Sequence, residues 1–378
     1  MIRFPALCPP ILLATATLLC AEGKWEMVAI PALDPKGDVY KTEGPNDPLI
    51  YDDAIGTKKM ILVFCDFADA PMEVDTREHG SKCLGGDVYE KLFAAQSYGK
   101  LDFEIEQVHG WRRLPGESKD YNPDATDTHR EMFVQVFKLY PEVDFRQYDY
   151  ICAVMPRIGN TAFGEREDLA IPYRDTKIKV AMNLTAASPY VLAHEVAHMM
   201  GLPDLYTYKG VDAPKNPVDG WDLMSVCGTA TGFIGWHRHK LGWLDADRKT
   251  YVTRDALGVR LTPLHAKAGV SMAVIPADDP NKPSKVFVVE EALARRFKDQ
   301  QFIHKGGLLV YSVDAKITTG HNPVIVYPKE DLNHAAFQPG DSFDHADAPF
   351  TMKVLGKADD GSYLLDIRLK APKTIKAP

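Results

Sequence analysis

The chain has no lysine or arginine run, and its formal net charge is −8. A nucleic-acid-binding surface needs a basic footprint, so no nucleic-acid partner is expected. Beyond its first two dozen residues it has no apolar stretch near the roughly 18 residues of a membrane span. No transmembrane segment is therefore expected in the mature chain. Cysteine is scarce, at 6 in 378 residues, and no pair has the Cys-x-x-Cys spacing of a cysteine zinc site. There is no fixed-period repeat and no stretch polar enough to stay disordered. The remainder is ordinary for a globular protein, at 45% hydrophobic and 25% charged residues.

The N-terminus stands apart. "MIRFPALCPPILLATATLLCAEGK" has a basic residue, an apolar run and then polar sequence. This is a signal-peptide pattern over residues 1–21, with cleavage near Ala21. Cys20 does not argue for a lipoprotein, because Leu19 is a poor residue before a lipidated cysteine. The mature protein is expected to be secreted or extracytoplasmic. It retains Cys65, Cys83, Cys152 and Cys227, which allow three pairings. Cys65 and Cys152 sit in apolar runs, where buried free thiols compete with disulfides, so the pairing stays open.

Residues 22–58, rich in Pro, Gly and Asp, read as an extended lead-in. "MILVFCDF" has the pattern of a buried strand and "LDFEIEQV" the alternation of a half-exposed one. "DVYEKLFAAQSYGKL" and "DTHREMFVQVFKLYP" space their apolar residues as helices. "YICAVMP" and "IKVAMNL" are further strands. Residues 59–246 thus read as a mixed α/β domain. Over 247–378 the strand-like runs are "VRLTPL", "MAVIPA", "KVFVVEE", "GLLVYSV", "PVIVYP", "FTMKVLGK" and "SYLLDIRLK". The last two are joined by Asp360-Gly361, a tight-turn signal. Only "EALARRF" has helical character there. This second unit is expected to be a β-sandwich or partly open barrel.

The chemistry concentrates in "VLAHEVAHMMGLPDLY", residues 191–206. Ser188 is a good N-cap, Pro189 suits the first helical position, and Gly201 suits a left-handed exit. Within that helix His194 and His198 are one turn apart and face the same way. Two imidazoles on one face can share a metal, while Glu195 points to the side, within reach of a water held there. A third protein ligand is needed. Gly201 lets the chain turn and Pro203 stiffens its return, bringing round Asp204, whose carboxylate can bind zinc at about 2.0–2.2 Å. No glutamate occurs between Glu195 and Glu290. A glutamate ligand on the following helix is therefore disfavoured, since Glu290 lies in a strand-like run. Asp212, Asp219 and Asp222 remain as alternatives to Asp204. The competing structural reading is a core helix with two satisfied histidines. Asn183-Leu184-Thr185 matches a glycosylation sequon but abuts this helix and is given no weight, and the remaining histidines read as ordinary.

The segment resembles the extended zinc motif of the metzincins, with aspartate where most carry a third histidine. It is more closely similar to the immune inhibitor A-like family of secreted bacterial metallopeptidases. "HEVAHMMGLPDLY", "GWDLMSVCG", "GFIGWHRHKLGWL", "SYGKLDF" and "VFVVEEALARR…GGLLVYSVD" carry the resemblance, over about residues 59–370. It implies an α+β chain: a metzincin-like mixed α/β zinc peptidase domain over 59–246, then a β-sandwich-like C-terminal domain. It also implies that Met224 is the Met-turn residue, an apolar floor beneath the metal. By itself, a methionine in an apolar run is usually core packing. Two departures stand out. Many metzincins place a tyrosine just after that methionine, whereas the next tyrosine here is Tyr251. Tyr206 and His237, with Tyr208 and His239 behind them, are the candidates for a transition-state contact, although "GWHRHKLGW" also reads as a polar helix face. The family often carries a long propeptide, and 22–58 is short, so latency is not read. Structural Ca²⁺ is compatible with the chain but assigned to no residue.

The expectation is a secreted zinc endopeptidase acting on proteins or peptides. His194, His198 and Asp204 would hold Zn²⁺, Gly201 would shape the turn, and Glu195 would be the general base. The alternative is a catalytically inactive exported binding or adhesion protein on a peptidase scaffold. Glu195 argues against it, because a structural zinc site has no use for a base. Hydrolysis of a non-peptide ester or amide would share the same site. Cleavage specificity and oligomeric state are not legible.

Overall fold

The computed structural model describes residues 25–29, 41–48, 50, 51, 53–121, 126–156, 163–184, 187–227, 232–292, 295, 296, 303, 304 and 306–371. The expected signal peptide lies outside the described residues. Five strands, β1 (Gly56–Asp66), β2 (Leu101–Arg113), β3 (Tyr150–Val154), β4 (Phe163–Tyr173) and β5 (Thr176–Leu184), form one sheet in the order β2-β1-β3-β5-β4. β1 runs parallel to β2 and β3, β3 runs parallel to β5, and β4 is antiparallel to β5. Parallel neighbours need crossovers. α1 (Thr76–Leu84) and α2 (Val88–Gln96) supply one, and α3 (Thr126–Leu139) the next.

The unbroken apolar run of β1 follows from burial on both faces. Met60, Leu62 and Phe64 join a cluster with α1, α2 and the histidine helix α4 (Pro189–Met199), while Ile61, Val63 and Cys65 join another with α3. On α3, Met132, Phe133, Val136 and Phe137 face that second cluster, as their spacing predicts. Two elements of this first half escape the sequence reading. α1 is polar outside Cys83 and Leu84, and β4, "FGEREDLAIPY", is too charged to read as an apolar run.

The C-terminal half holds two larger sheets and a two-stranded ribbon. β6 (Lys249–Tyr251), β8 (Met272–Pro276), β9 (Lys285–Ala292), β12 (Gly307–Asp314) and β13 (Val324–Val326) stand in the order β13-β12-β9-β8-β6. β7 (Ala256–Leu261), β14 (Ser342–Asp344), β15 (Phe350–Lys357) and β16 (Tyr363–Leu369) stand in the order β14-β15-β16-β7. Their facing side chains, among them Ile275, Phe287, Val310, Phe350 and Ile367, share one core. Of "EALARRF", the described residues Glu291, Ala292, Arg295 and Arg296 are strand and not helix. β9 runs through Ala292, and Arg295–Arg296 (β10) pairs with Ile303–His304 (β11), so cross-strand pairing overrides the local helical period.

The other face of the five-stranded sheet, including Val274, Val288, Leu309 and Tyr311, belongs to the same cluster as Val196 of α4 and Trp243. One buried cluster thus includes residues from both sides of 246 and 247. Described residues of the lead-in are also packed down. Trp25 stacks on Tyr251 at 4.4 Å, and Met27 and Glu43 are buried. Among the described residues, Cys65, Cys83, Cys152 and Cys227 are all free thiols. Burial pushes Cys65 and Cys83 up to about 12, which makes both poor nucleophiles. No helix among the described residues is long and apolar enough to cross a membrane.

Candidate metal centre

α4 carries the site. Pro189 opens it behind Ser188, whose backbone is extended as an N-cap's should be but whose side chain makes no capping bond. At the other end Gly201 N–H donates to the His198 carbonyl at 2.9 Å and Leu202 N–H to the Ala197 carbonyl at 3.0 Å. This is a Schellman exit. Gly201 has φ +92, and a Cβ there would lie 2.4 Å from Asn46 Oδ1, so both backbone and space require glycine. Asn46 Nδ2 also donates to the Met200 carbonyl at 2.7 Å, so a lead-in residue closes the helix end.

Beyond that turn, Asp204 comes back to the histidines. The His194 and His198 rings stand 4.6 Å apart at 86°. Each Nδ1–H donates to a backbone carbonyl, His194 to Leu223 at 3.0 Å and His198 to Leu202 at 2.8 Å. Those bonds fix the tautomer and leave Nε2 as the free ligand atom on each ring. Asp204 Oδ1 lies 3.1 Å from one Nε2 and 3.2 Å from the other. It is buried and has the angular geometry of a hydrogen bond with neither. Two nitrogens and an oxygen converging within 4.8 Å of one another suit a divalent cation such as zinc. Among the described residues this is the one cluster of its kind.

The electrostatics match a site made for a cation. Burial opposes charge on His194, but the approach of Asp204 outweighs it and lifts the imidazole up to about 9. Burial likewise opposes charge on Asp204, yet the two imidazoles hold it well below the usual carboxylate range. Burial pushes the Glu195 carboxyl up, and the neighbouring imidazoles temper the rise. A buried, uplifted carboxylate beside a cation site is poised to take a proton.

The alternative third ligands are elsewhere. Asp212 is exposed, and Asp219 sits at φ +49 in a short helical turn. Asp222 is fully buried and committed: Oδ1 accepts from Met224 N–H at 2.7 Å, and Oδ2 from Ile234 N–H at 2.8 Å. Glu290 caps α5 (Gly235–Lys240), accepting from Gly235 N–H at 2.8 Å. The buried Met224 is tied to the site through its backbone. Its carbonyl accepts from Leu205 N–H at 2.9 Å, and the preceding carbonyl of Leu223 holds His194. Tyr206 is half-buried, its ring stacked 6.4 Å from that of His194.

His237 is not a transition-state contact, nor does it lie on a polar helix face. It is fully buried, with Nδ1 2.9 Å from Asp222 Oδ2 and Nε2 2.9 Å from Glu43 Oε1. Both ring nitrogens are taken, so none is left for a substrate. His239 instead faces Lys249 Nζ at 3.0 Å, and burial drives its pKa down to about 3. Tyr208 is also engaged, donating its hydroxyl to Asp204 Oδ2 at 2.6 Å.

The imidazole of His237 bridges two buried carboxylates, and Asp222 in turn shapes the Met224 turn. His237→Ala should cost about 3–5 kcal/mol, the scale for stripping a buried ion pair of one partner. Burial lowers the His237 pKa, but Asp222 and Glu43 outweigh that and raise it from 6.5 to about 10. A folded pKa above the unfolded one gives stabilisation that is complete below pH 6.5 and lost as pH rises through about 10. Denaturant unfolding of wild type and variant should therefore converge across that window. An equal gap at both ends would contradict the assignment.

Comparison with known proteins finds no matching family model and no matching curated protein, so nothing there bears out the resemblance to the immune inhibitor A-like family. Among solved structures, metalloproteinase-II from Bacteroides fragilis is 14% identical over 52% of this chain, with a TM-score of 0.31. The chain spans 58% of that protein's length. A catalytically inactive OgpA from Akkermansia muciniphila, in complex with an O-glycopeptide (glycodrosocin) substrate, is 11% identical, covering 84% of this chain and 97% of that one at a TM-score of 0.30. Likenesses this distant carry no assignment of site or substrate. The chain is a mixed α/β protein of several sheets whose distant structural neighbours include a metalloproteinase.

Proposed function

We propose that this chain is an exported zinc endopeptidase that hydrolyses peptide bonds in protein or peptide substrates. The observation that supports this most is the convergence of His194 Nε2, His198 Nε2 and Asp204 Oδ1, all buried, beside the buried Glu195. Zinc held by these three groups supplies a Lewis acid that acidifies water and polarises a carbonyl. Glu195 takes the proton from the attacking water on its carboxylate and passes it to the leaving amine. The carbonyls of Leu223 and Leu202 keep both imidazoles in the tautomer that ligates. The Met224 carbonyl ties down the residue that follows Asp204, accepting from Leu205 N–H. Tyr206, beside His194, is the group on hand to steady charge on the substrate oxygen. The signal-peptide pattern of residues 1–21 supports export.

Protein secreted by its native host, beginning near residue 22, should contain one zinc per chain and digest a quenched-peptide library, and a chelator should abolish the digestion. A zinc-loaded protein that cleaves no peptide would leave the binding or adhesion reading in its place.

A further inference from the structure

Asp204 is held by a segment 115 positions further along the chain. Its backbone N–H donates to Thr319 Oγ1 at 2.9 Å, and its backbone carbonyl accepts from Gly320 N–H at 3.2 Å. Tyr208 joins the same contact, its N–H donating to the Gly320 carbonyl at 2.9 Å and its hydroxyl to Asp204 Oδ2 at 2.6 Å. Tyr208 Oη also lies 3.2 Å from Thr319 Oγ1. A phenol has one proton to give, and Asp204 receives it, so Thr319 is the donor in that last contact. The bonds close a ring: Thr319 O–H to Tyr208, Tyr208 O–H to Asp204, Asp204 N–H back to Thr319.

This ring does something a single bond would not. An aspartate carboxylate has two equivalent oxygens on a rotatable stem. Committing Oδ2 to Tyr208 leaves Oδ1 as the oxygen that faces the imidazoles, 3.1 and 3.2 Å away. The turn that delivers Thr319 is itself specified. Gly320 has φ +71, and a Cβ there would lie 2.3 Å from the Tyr208 ring. The loop lies between β12 and β13 of the C-terminal half and is braced by the lead-in, with Thr319 N–H donating to the Lys41 carbonyl at 2.8 Å.

We propose that Thr319 and Tyr208 are positioning residues that present Asp204 Oδ1 to the metal, and that the β-rich C-terminal half is thereby part of the metal centre. The proposal rests on the reading of His194, His198 and Asp204 as the ligand set. The test is zinc affinity of the full-length protein, measured by competition with a chromophoric chelator, for wild type, Thr319→Val, Thr319→Ser and Tyr208→Phe. Loss of a group that orients a ligand typically weakens metal binding about 10- to 100-fold. Thr319→Val and Tyr208→Phe should each show a loss on that scale. Thr319→Ser keeps the hydroxyl and should stay within about twofold. Melting of zinc-free Thr319→Ser and Tyr208→Phe should barely differ from wild type, whereas Thr319→Val leaves the Asp204 N–H without its acceptor and should melt lower, a change that the serine variant separates from the effect on zinc. Thr319→Val with wild-type affinity, or Thr319→Ser as weak as the valine variant, overturns the proposal. If the valine variant does not fold, wild-type affinity in Tyr208→Phe overturns it. Wild-type protein that takes up no zinc would remove the ligand reading and this inference together, an outcome distinct from variants that bind as wild type does.

Discussion

Glu195→Gln should leave zinc content and fold close to wild type and lower kcat by about 10²-fold or more, the usual scale for losing a general base. The substitution keeps the shape of the side chain and removes its basicity. The helix should not register it, since α4 is held by the apolar contacts of Leu192, Val196 and Met199 and by the Gly201 exit. Zinc should not register it either, because Glu195 is not among the converging ligand atoms. What disappears is the proton acceptor in the buried site. The comparison needs zinc analysis and steady-state peptide hydrolysis on the same preparations. A glutamine variant that digests peptides at the wild-type rate would remove Glu195 from the mechanism, whatever its zinc content.

Asp204→Ala should lower zinc affinity by orders of magnitude and abolish the rise in melting temperature that zinc gives the wild-type protein. The local backbone gives this variant a clean reading. Thr319 and Gly320 hold residue 204 through its N–H and carbonyl, which alanine keeps, so the turn should survive the loss of the carboxylate. Asp204→His should recover part of the affinity, since imidazole can take the same coordination position at about 2.0–2.1 Å. A residue that merely shaped the turn would instead cost about 1 kcal/mol on substitution and leave zinc in place. An alanine variant whose zinc titration overlays wild type would refute the assignment. Asp222 would be a poor replacement, because both its oxygens are already bonded within the protein.

Much of this site is legible because its instructions are local. The four-residue spacing of His194 and His198 puts both on one face by helix geometry alone. Gly201 announces the exit because few other residues adopt φ +92. The buried strands β1 and β3 and the helix α3 are legible for the same reason, since an apolar run or a helical period lies within a dozen residues. By itself, then, the sequence determined the helix, the turn, the pairing of two imidazoles with a neighbouring glutamate, and the β-rich character of the C-terminal half. Tertiary structure decided the rest. It sent β4 to a sheet edge despite its charges, made the described residues of "EALARRF" extended, and ran one hydrophobic cluster through both halves. It also gave three residues roles that their surroundings in sequence do not hint at. Asp222 stands two residues before Met224 and looks like a spare ligand until His237 and Ile234 arrive to occupy it. Glu43, 194 positions before His237, looks like part of a loose lead-in. Thr319, in an ordinary loop, closes the ring around Asp204. The physical reason is common to all three: hydrogen bonds and ion pairs between distant segments leave no periodicity in the chain, and exist only once packing has brought their partners within about 3 Å.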